Sequence, residues 1–227
     1  MMGLRVAFDL DGTLADLNAA IARIARGLFG PAALPPASDN GDGPHHAAVP
    51  PPLAALTARQ QAALWAHIEG TEDFWTSLAE TVPGIVARIA TAARERRWEV
   101  IFITTRPSTA GDTTQRQTQR WLEAHGFACP SVFVVNGSRG KVAEALTLDA
   151  VVDDHLEKAV DVAVESHAKS LLIWDGDTRD VPPGALRLGM TVVDSIGEAL
   201  STLVRLDDLK REPGMLRSIT RMLTRRA

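Results

Sequence analysis

Short apolar runs recur along the chain, and each is bounded by polar or turn residues. Runs of this kind are typical of β-strands that are buried in a sheet. Five strands are predicted on this basis: Leu4–Phe8, Val100–Ile103, Val132–Val135, Ala150–Val152 and Leu171–Trp174. A weaker run at Thr191–Val193 predicts a sixth strand.

Helical periodicity fills most of the intervals between these strands. Apolar residues recur at helical spacing from Ile85 to Ala93. Asp112 and Gln115 resemble a capping box at the start of another helix, and Gly126 is placed to end it. Strands that alternate with helices predict an α/β fold, with a doubly wound, mostly parallel Rossmann-like sheet covered on both faces.

The interval between the first two predicted strands contains no strand pattern. Helical patterns flank residues 30–52, which are rich in proline and glycine. Proline and glycine interrupt regular structure, so we predict a mobile loop at 30–52. We therefore assign residues 16–83 to a small helical cap, inserted into a core domain of residues 1–15 and 84–227.

The composition is ordinary for a globular protein, with 45% hydrophobic residues, 23% charged residues and a net charge of −4. No apolar stretch approaches the roughly 20 residues that a membrane span requires. The single cysteine, Cys129, excludes an intramolecular disulfide framework, and no signal-peptide pattern is found. We therefore expect a cytoplasmic protein, and we do not expect nucleic acid as a partner.

Positive charge is concentrated toward the end of the sequence, where a basic amphipathic helix is predicted at 214–227. Its apolar face could pack on the core, pair with a second copy of the chain in a homodimer, or touch an anionic membrane surface. Packing or pairing is the preferred interpretation, because one short basic helix anchors weakly to a bilayer.

Two carboxylates directly follow the first predicted strand, at Asp9 and Asp11. The carboxyl ends of parallel strands are where α/β proteins bind ligands. One carboxylate of such a pair can attack an electrophile such as phosphorus while the other transfers protons. The pair also requires a cation, because mutual repulsion would otherwise raise the pKa of one carboxyl. A hairpin turn would explain Gly12, but not the buried strand before Asp9.

The sequence around these residues resembles the haloacid dehalogenase (HAD) superfamily. Phe8–Leu14 has the Asp-x-Asp-x-Thr pattern of that family's first motif. Ile101–Thr105 looks like the second motif, a strand that ends in a hydroxyl, and Lys141 follows the third strand where the family places a lysine. Val151–Asp154 is similar to the fourth motif, a strand that ends in two acidic residues. The four motifs occur in the order of the family.

The resemblance implies a phosphatase that requires Mg²⁺ and acts on a small phosphorylated substrate. It implies that Asp9 forms an aspartyl-phosphate and that Asp11 acts as general acid and base. Three residues are implied to bind the phosphoryl group: Thr104, Thr105 and Lys141. Four residues are implied to hold the metal: Asp9, Asp11, Asp153 and Asp154. Oxygen ligands of this kind suit Mg²⁺.

The helical insertion, the threonine-rich second motif and the paired aspartates are similar to the 5'(3')-deoxyribonucleotidase group. In that group aromatic residues of the cap hold the base, and Phe74 and Trp75 are the candidates here. The same two side chains could instead only pin the cap to the core. Arg106 departs from the pattern of the group and could steer an anionic substrate. The resemblance therefore favours a nucleoside monophosphate as substrate.

Two other functions remain open. A polynucleotide 3'-phosphatase shares the motifs and has an arginine in the second one, although the acidic body of the chain disfavours a long nucleic-acid track. A phospho-ligand binder without turnover would have the same fold. We would expect such a binder to lack a carboxylate of the first motif, and both Asp9 and Asp11 are present.

Overall fold

The computed structural model describes residues 3–34 and 51–211. Most of the predicted loop at 30–52 and the predicted basic helix at 214–227 lie outside the described residues. The homodimer considered for that helix therefore stays a prediction. None of the described helices is both long and apolar enough to cross a bilayer.

Within the described ranges, six strands form one sheet: β1 (Arg5–Phe8), β2 (Glu99–Thr104), β3 (Ser131–Val134), β4 (Ala150–Asp153), β5 (Lys169–Ile173) and β6 (Thr191–Val193). Their order across the sheet is β3-β2-β1-β4-β5-β6, and every neighbouring pair is parallel. The predicted α/β fold is confirmed. All six predicted strands are present, with ends shifted by at most one or two residues.

The described residues also form helices on both sides of the sheet. The α-helices are α1 (Leu17–Phe29), α2 (Pro51–Ala54), α3 (Ala58–Gly70), α4 (Ile85–Arg96), α5 (Thr114–Ala124), α6 (Arg139–Ala145), α7 (Leu156–Glu165), α8 (Pro183–Arg187) and α9 (Ile196–Arg211). Short 3₁₀ turns occur at Pro31–Ala33, Phe74–Thr76 and Thr178–Asp180.

Helix α5 begins one residue later than the predicted capping box places it. Thr113 is the capping residue, and its hydroxyl accepts the backbone N–H of Arg116 at 3.4 Å. Asp112 instead forms an ion pair with Arg116 at 3.2 Å. The side-chain amide of Gln115 donates to the carbonyl of Val132 at 3.0 Å, so it does not reach back to the start of the helix.

The apolar strands are buried because helices cover both faces of the sheet. Along β1, Val6 and Phe8 belong to one buried cluster and Ala7 to a second, as expected where successive side chains point to opposite faces. Helix α3, which lies between β1 and β2 in the sequence, adds Leu64 to the first cluster. The inserted helices therefore share a core with the sheet, and the limits of a separate cap at 16–83 stay a prediction.

Strand β1 lies between β2 and β4, where the chain reverses the direction in which it adds strands. Connections on the two sides of such a point diverge and open a crevice at the carboxyl ends of the strands. The N–H of Asp9 donates to the carbonyl of Val152 at 2.9 Å, which continues the pairing of β1 with β4. The residues that follow β1, β2 and β4 therefore meet at one edge of the sheet.

Candidate active site

A cavity of about 130 Å³ opens at the carboxyl ends of β1, β2 and β4. Five of the residues predicted from the sequence line it: Asp9, Asp11, Thr104, Thr105 and Asp154. Helix α1 adds Leu17 and Asn18, and the segment after β4 adds His155 and Lys158. The cavity thus brings the carboxylates of the first and fourth motifs together with the hydroxyls of the second.

Asp9 is almost fully buried and is contacted by two cationic side chains. Its exposure is 3%. Nη2 of Arg139 donates to Oδ1 of Asp9, and Nζ of Lys158 lies 3.7 Å from the same oxygen. Arg139 begins α6, and Lys158 lies in the first turn of α7. Two helices therefore each supply a positive charge, which a buried carboxylate requires as compensation.

Glycine at position 140 lets α6 and α7 approach each other closely. A Cβ there would lie 2.1 Å from the carbonyl oxygen of Asp161 and 2.7 Å from Cβ of Glu165, both in α7. A larger side chain would therefore push the two helices apart. The close approach keeps Arg139 and Lys158 within reach of the same carboxylate.

Lys141 is exposed on α6 and does not line the cavity, contrary to its predicted role in binding the phosphoryl group. Residues two apart in an α-helix differ in direction by about 200°. Because Arg139 faces Asp9, Lys141 faces away from it. The structure therefore does not bring Lys141 to the cavity, and the basic side chains at Asp9 are Arg139 and Lys158.

Sequence reasoning missed both of these residues. Lys158 has a usable signal, because it follows the paired aspartates of the fourth motif within the first turn of the next helix. Arg139 has no comparable signal. Arg139 and Lys141 lie in the same short helix, and only the docking of that helix decides which of them reaches Asp9.

Asp153 ends β4 and Asp154 follows it, and both are buried. Burial raises the pKa of Asp153 to about 7, and the negative charge of Asp9 adds to the rise. Oδ1 of Asp153 accepts the backbone N–H of His155 at 2.9 Å. Oδ2 has no hydrogen-bond partner among the described residues, and Nε of Arg139 lies 3.6 Å from it. A buried carboxylate oxygen in this state is suited to a cation.

Asp154 is held against the loop that follows β1. The hydroxyl of Thr13 donates to its Oδ1 at 3.0 Å. Gly12 has a φ of +92°, and a Cβ on it would lie 2.0 Å from Oδ2 of Asp154. Glycine is therefore required at position 12 for both conformation and space. Nδ1 of His155 lies 3.3 Å from Oδ1 of Asp154, and that hydrogen bond raises the pKa of His155.

These side chains form a donor set that fits a hard divalent cation. The ligand atoms of Asp153, Asp154 and His155 all lie within 4.8 Å of one another. Asp9, Asp11 and Asp153 each have a Lys or Arg nearby, whereas the ion-pair partner described for Asp154 is His155. Mg²⁺ prefers carboxylate oxygens to imidazole nitrogen, so the two aspartates suit it better than the histidine.

Asp11 is held mainly by Arg106, and the hydroxyl of Thr104 also donates to its Oδ2 at 3.5 Å. Nε of Arg106 donates to both oxygens of Asp11, at 2.8 and 3.1 Å, and Nη2 donates to Oδ1 at 2.6 Å. The Arg106 side chain is fully buried and does not line this cavity. The structure therefore directs Arg106 to Asp11, whereas the sequence left open a role for it in steering an anionic substrate.

Phe74 and Trp75 are also buried and do not line the cavity. Their rings contact each other edge to face, with centroids 5.0 Å apart. Nε1 of Trp75 donates to the carbonyl of Pro107 at 3.0 Å, and Cζ of Arg106 lies 4.7 Å from the centroid of its ring. The two aromatic side chains thus join the inserted segment to the core, which was the alternative to stacking on a base.

No protein-family model matches the sequence, and no curated protein matches it. Solved structures do match. A HAD family hydrolase from Deinococcus radiodurans R1, with bound phosphate and sodium, is 17% identical, with a TM-score of 0.50 over 88% of this chain and 95% of that chain. A candidate beta-phosphoglucomutase from Thermotoga maritima is 19% identical, with a TM-score of 0.50 over 90% of this chain and 99% of that chain. The chain has the HAD-like fold. Identities this low show the fold alone.

Within the HAD-like fold, three of the four sequence motifs contribute side chains to the cavity. They are the first motif after β1, the second at the end of β2 and the fourth at the end of β4. After β3, the residue that contacts Asp9 is Arg139. Neither matching structure named above is described as a nucleotidase, so the narrower resemblance rests on the sequence motifs.

Proposed function

We propose that the chain is a Mg²⁺-dependent phosphatase in which Asp9 is the nucleophile. The observation that carries the proposal is the environment of Asp9. Its buried carboxylate is contacted by the cations Arg139 and Lys158, and Asp9 lines a cavity shared with Asp11, Thr104 and Asp154. A cavity of this kind can receive a phosphoryl group and neutralise its charge.

The first chemical step transfers the phosphoryl group to Asp9. A carboxylate oxygen of Asp9 forms a bond to phosphorus while the bond from phosphorus to the leaving oxygen breaks. The electron pair of that bond goes to the leaving oxygen, which takes a proton from Asp11. Asp11 is placed for this step because its carboxylate lines the same cavity.

The second step returns the enzyme to its starting state. A water molecule attacks phosphorus and gives its proton to Asp11, and inorganic phosphate leaves Asp9. The hydroxyl of Thr104 and the ammonium of Lys158 are assigned to the phosphoryl oxygens, since both residues line the cavity. Arg139 does not line the cavity, and we assign it to hold the carboxylate of Asp9, to which its Nη2 donates.

Magnesium, when bound, would offset the negative charge of the phosphoryl oxygens and of the surrounding carboxylates. The residues assigned to hold it are Asp9, Asp153 and Asp154, together with the backbone carbonyl of Asp11. The oxygen chemistry of this set and the unpartnered Oδ2 of Asp153 support the assignment.

The proposed substrate is a small phosphomonoester, with nucleoside monophosphates as the first candidates on the sequence resemblance. Phe74 and Trp75 do not line the cavity, so any recognition of a base would have to come from other residues. The test is phosphate release from nucleoside monophosphates, sugar phosphates and a 3'-phosphorylated oligonucleotide, with Mg²⁺ and with chelator.

Two variants make this assay specific. Asp9→Asn should abolish release, whereas Asp208→Asn, a change at an exposed carboxylate on α9 outside the cavity, should leave it unchanged. A preference for nucleotides would support nucleoside monophosphates as the substrate. A preference for another phosphomonoester would change the proposed substrate but not the proposed mechanism. Release that persists in Asp9→Asn or in chelator would overturn the mechanism.

A further inference from the structure

Arg106 and Asp11 form a two-point contact that fixes the plane of the carboxylate. Three hydrogen bonds join the Nε and Nη2 edge of the guanidinium to the two oxygens of Asp11, at 2.6 to 3.1 Å. A fork-to-fork contact of this kind restricts both the position and the rotation of a carboxylate. The two side chains differ in exposure to solvent. Arg106 is fully buried, whereas Asp11 is 16% exposed.

Arg106 is itself held from several directions. Its Nη1 donates to the hydroxyl of Thr118 in α5 at 3.0 Å. The ring of Trp75 lies against its guanidinium at 4.7 Å, an arrangement that stabilises a cation. The backbone N–H of Trp75 donates to the side chain of Gln117 in α5 at 3.1 Å. The guanidinium is therefore fixed between α5 and the inserted segment.

We propose that Arg106 is a positioning residue that aims Asp11 at the leaving oxygen, and that Trp75 and Thr118 hold Arg106 in place for this task. The inference rests on the proposed function, in which Asp11 transfers protons. Arg106 acts through Asp11, because it does not line the cavity that Asp11 lines.

The chemistry of arginine explains why this residue type suits the position. A guanidinium has only donors, so it occupies the lone pairs of Asp11 that face it and cannot accept a proton from Asp11. A proton carried by Asp11 must then lie on the remaining side of the carboxylate, and the exposed part of that carboxylate faces the cavity. Lysine would supply the charge without the planar fork, so it would not fix the rotation of the carboxylate.

This role has a consequence that a purely structural role lacks. Proton donation by Asp11 matters most when the leaving group is a poor one, such as an alkoxide, and least when it is a stable phenolate. A misdirected Asp11 should therefore slow the hydrolysis of an alkyl phosphate more than that of an activated aryl phosphate. Simple loss of folded protein would lower both rates by the same factor.

The experiment compares kcat and KM for an alkyl phosphate and for p-nitrophenyl phosphate in wild type, Asp11→Asn, Arg106→Lys and Thr118→Val. Asp11→Asn defines the pattern expected when the proton donor is lost. Arg106→Lys should reproduce it in kcat/KM, which reports the first phosphoryl transfer and not the later hydrolysis of the intermediate. The value for the alkyl substrate should fall about tenfold or more beyond any fall for the aryl substrate. Thr118→Val keeps the shape of the side chain but removes the hydroxyl that Arg106 contacts. It should produce the same difference between the two substrates, but a smaller one.

The outcomes separate the inference from the function on which it rests. If Arg106→Lys does not fold, Thr118→Val together with Trp75→Phe decides the question by the same comparison. Equal losses on both substrates in these variants would overturn the positioning role and leave the phosphatase proposal standing. Wild-type protein that releases no phosphate from either substrate would overturn the proposed function, and this inference with it.

Discussion

Arg139 places its guanidinium against the carboxylate of Asp9, although 130 positions separate the two residues in the chain. The contact forms because α6 begins at the carboxyl end of β3 and packs closely against α7 through Gly140. The same packing brings Nζ of Lys158 to 3.7 Å from the oxygen of Asp9 that Arg139 contacts. The site therefore depends on how two helices dock as much as on the motifs that end the strands.

Substituting each of the two basic residues of α6, Arg139 and Lys141, tests the importance of this contact. Arg139→Gln should lower kcat by about a hundredfold or more, because it removes the donor that fixes the attacking carboxylate of Asp9. It should also lower the melting temperature, since buried Asp9 and Asp153 lose their partner. Lys141→Gln, a change of charge on an exposed face of the same helix, should leave both quantities close to wild type. A larger loss from Lys141→Gln than from Arg139→Gln would contradict the assignment.

Substitution of Gly12 tests whether the first motif must lie close to Asp154 of the fourth motif. Gly12→Ala should weaken Mg²⁺ binding and reduce activity, because the added Cβ would lie 2.0 Å from Oδ2 of Asp154 and the residue has a positive φ. Titration calorimetry with Mg²⁺ measures the first effect directly. Gly27→Ala is the matched control, since nothing lies within 4 Å of a Cβ there. It should leave binding unchanged and stabilise α1 by up to ~1 kcal/mol. Unchanged Mg²⁺ affinity in Gly12→Ala would argue against a metal site at Asp154.

The local part of this architecture could be predicted from the sequence. Buried parallel strands are continuous apolar runs, and such runs locate all six strands to within one or two residues. Asp9, Asp11, Thr104 and Asp154 could be placed because they directly follow those strands. The order of the strands then brings them to one edge of the sheet.

The rest depends on the direction of side chains after packing, which periodicity does not determine. Lys141 and Arg139 have the same charge and lie in the same helix, and only the docking of α6 distinguishes them. The sequence is equally compatible with a base-stacking role and a buried role for Trp75. The hydrogen bond from its Nε1 to the carbonyl of Pro107 favours the buried role. Arg106 is a candidate for anion binding until its partner is found to be Asp11.

The buried aspartate of the fourth motif should make the stability of the metal-free protein depend on pH. Burial raises the pKa of Asp153 from 3.8 to about 7, so between these values the folded protein binds a proton that the unfolded chain does not. Stability should therefore fall as the pH rises from about 4 to about 7. The check is the melting temperature in chelator across that range.

Comparison with variants isolates the contribution of Asp153. The raised pKa of His155 acts in the same direction, so wild type alone does not separate the two groups. Asp153→Asn should flatten the pH dependence, whereas Asp208→Asn, at an exposed carboxylate, should retain the wild-type slope. If Asp153→Asn keeps the full slope, burial of Asp153 is not its source.

The central claim is that Asp9 carries the phosphoryl group during turnover, and trapping that species is the most direct test. Protein mixed with a substrate that it turns over in Mg²⁺, quenched in acid and digested, should yield the peptide containing Asp9 with the added mass of one phosphoryl group. With p-nitrophenyl phosphate, Asp11→Asn should accumulate more of this species, because the stable leaving group spares the first step while water activation in the second step is impaired. Asp9→Asn should yield none. Phosphate release without a phosphorylated Asp9 peptide, or with the label on another residue, would contradict the account.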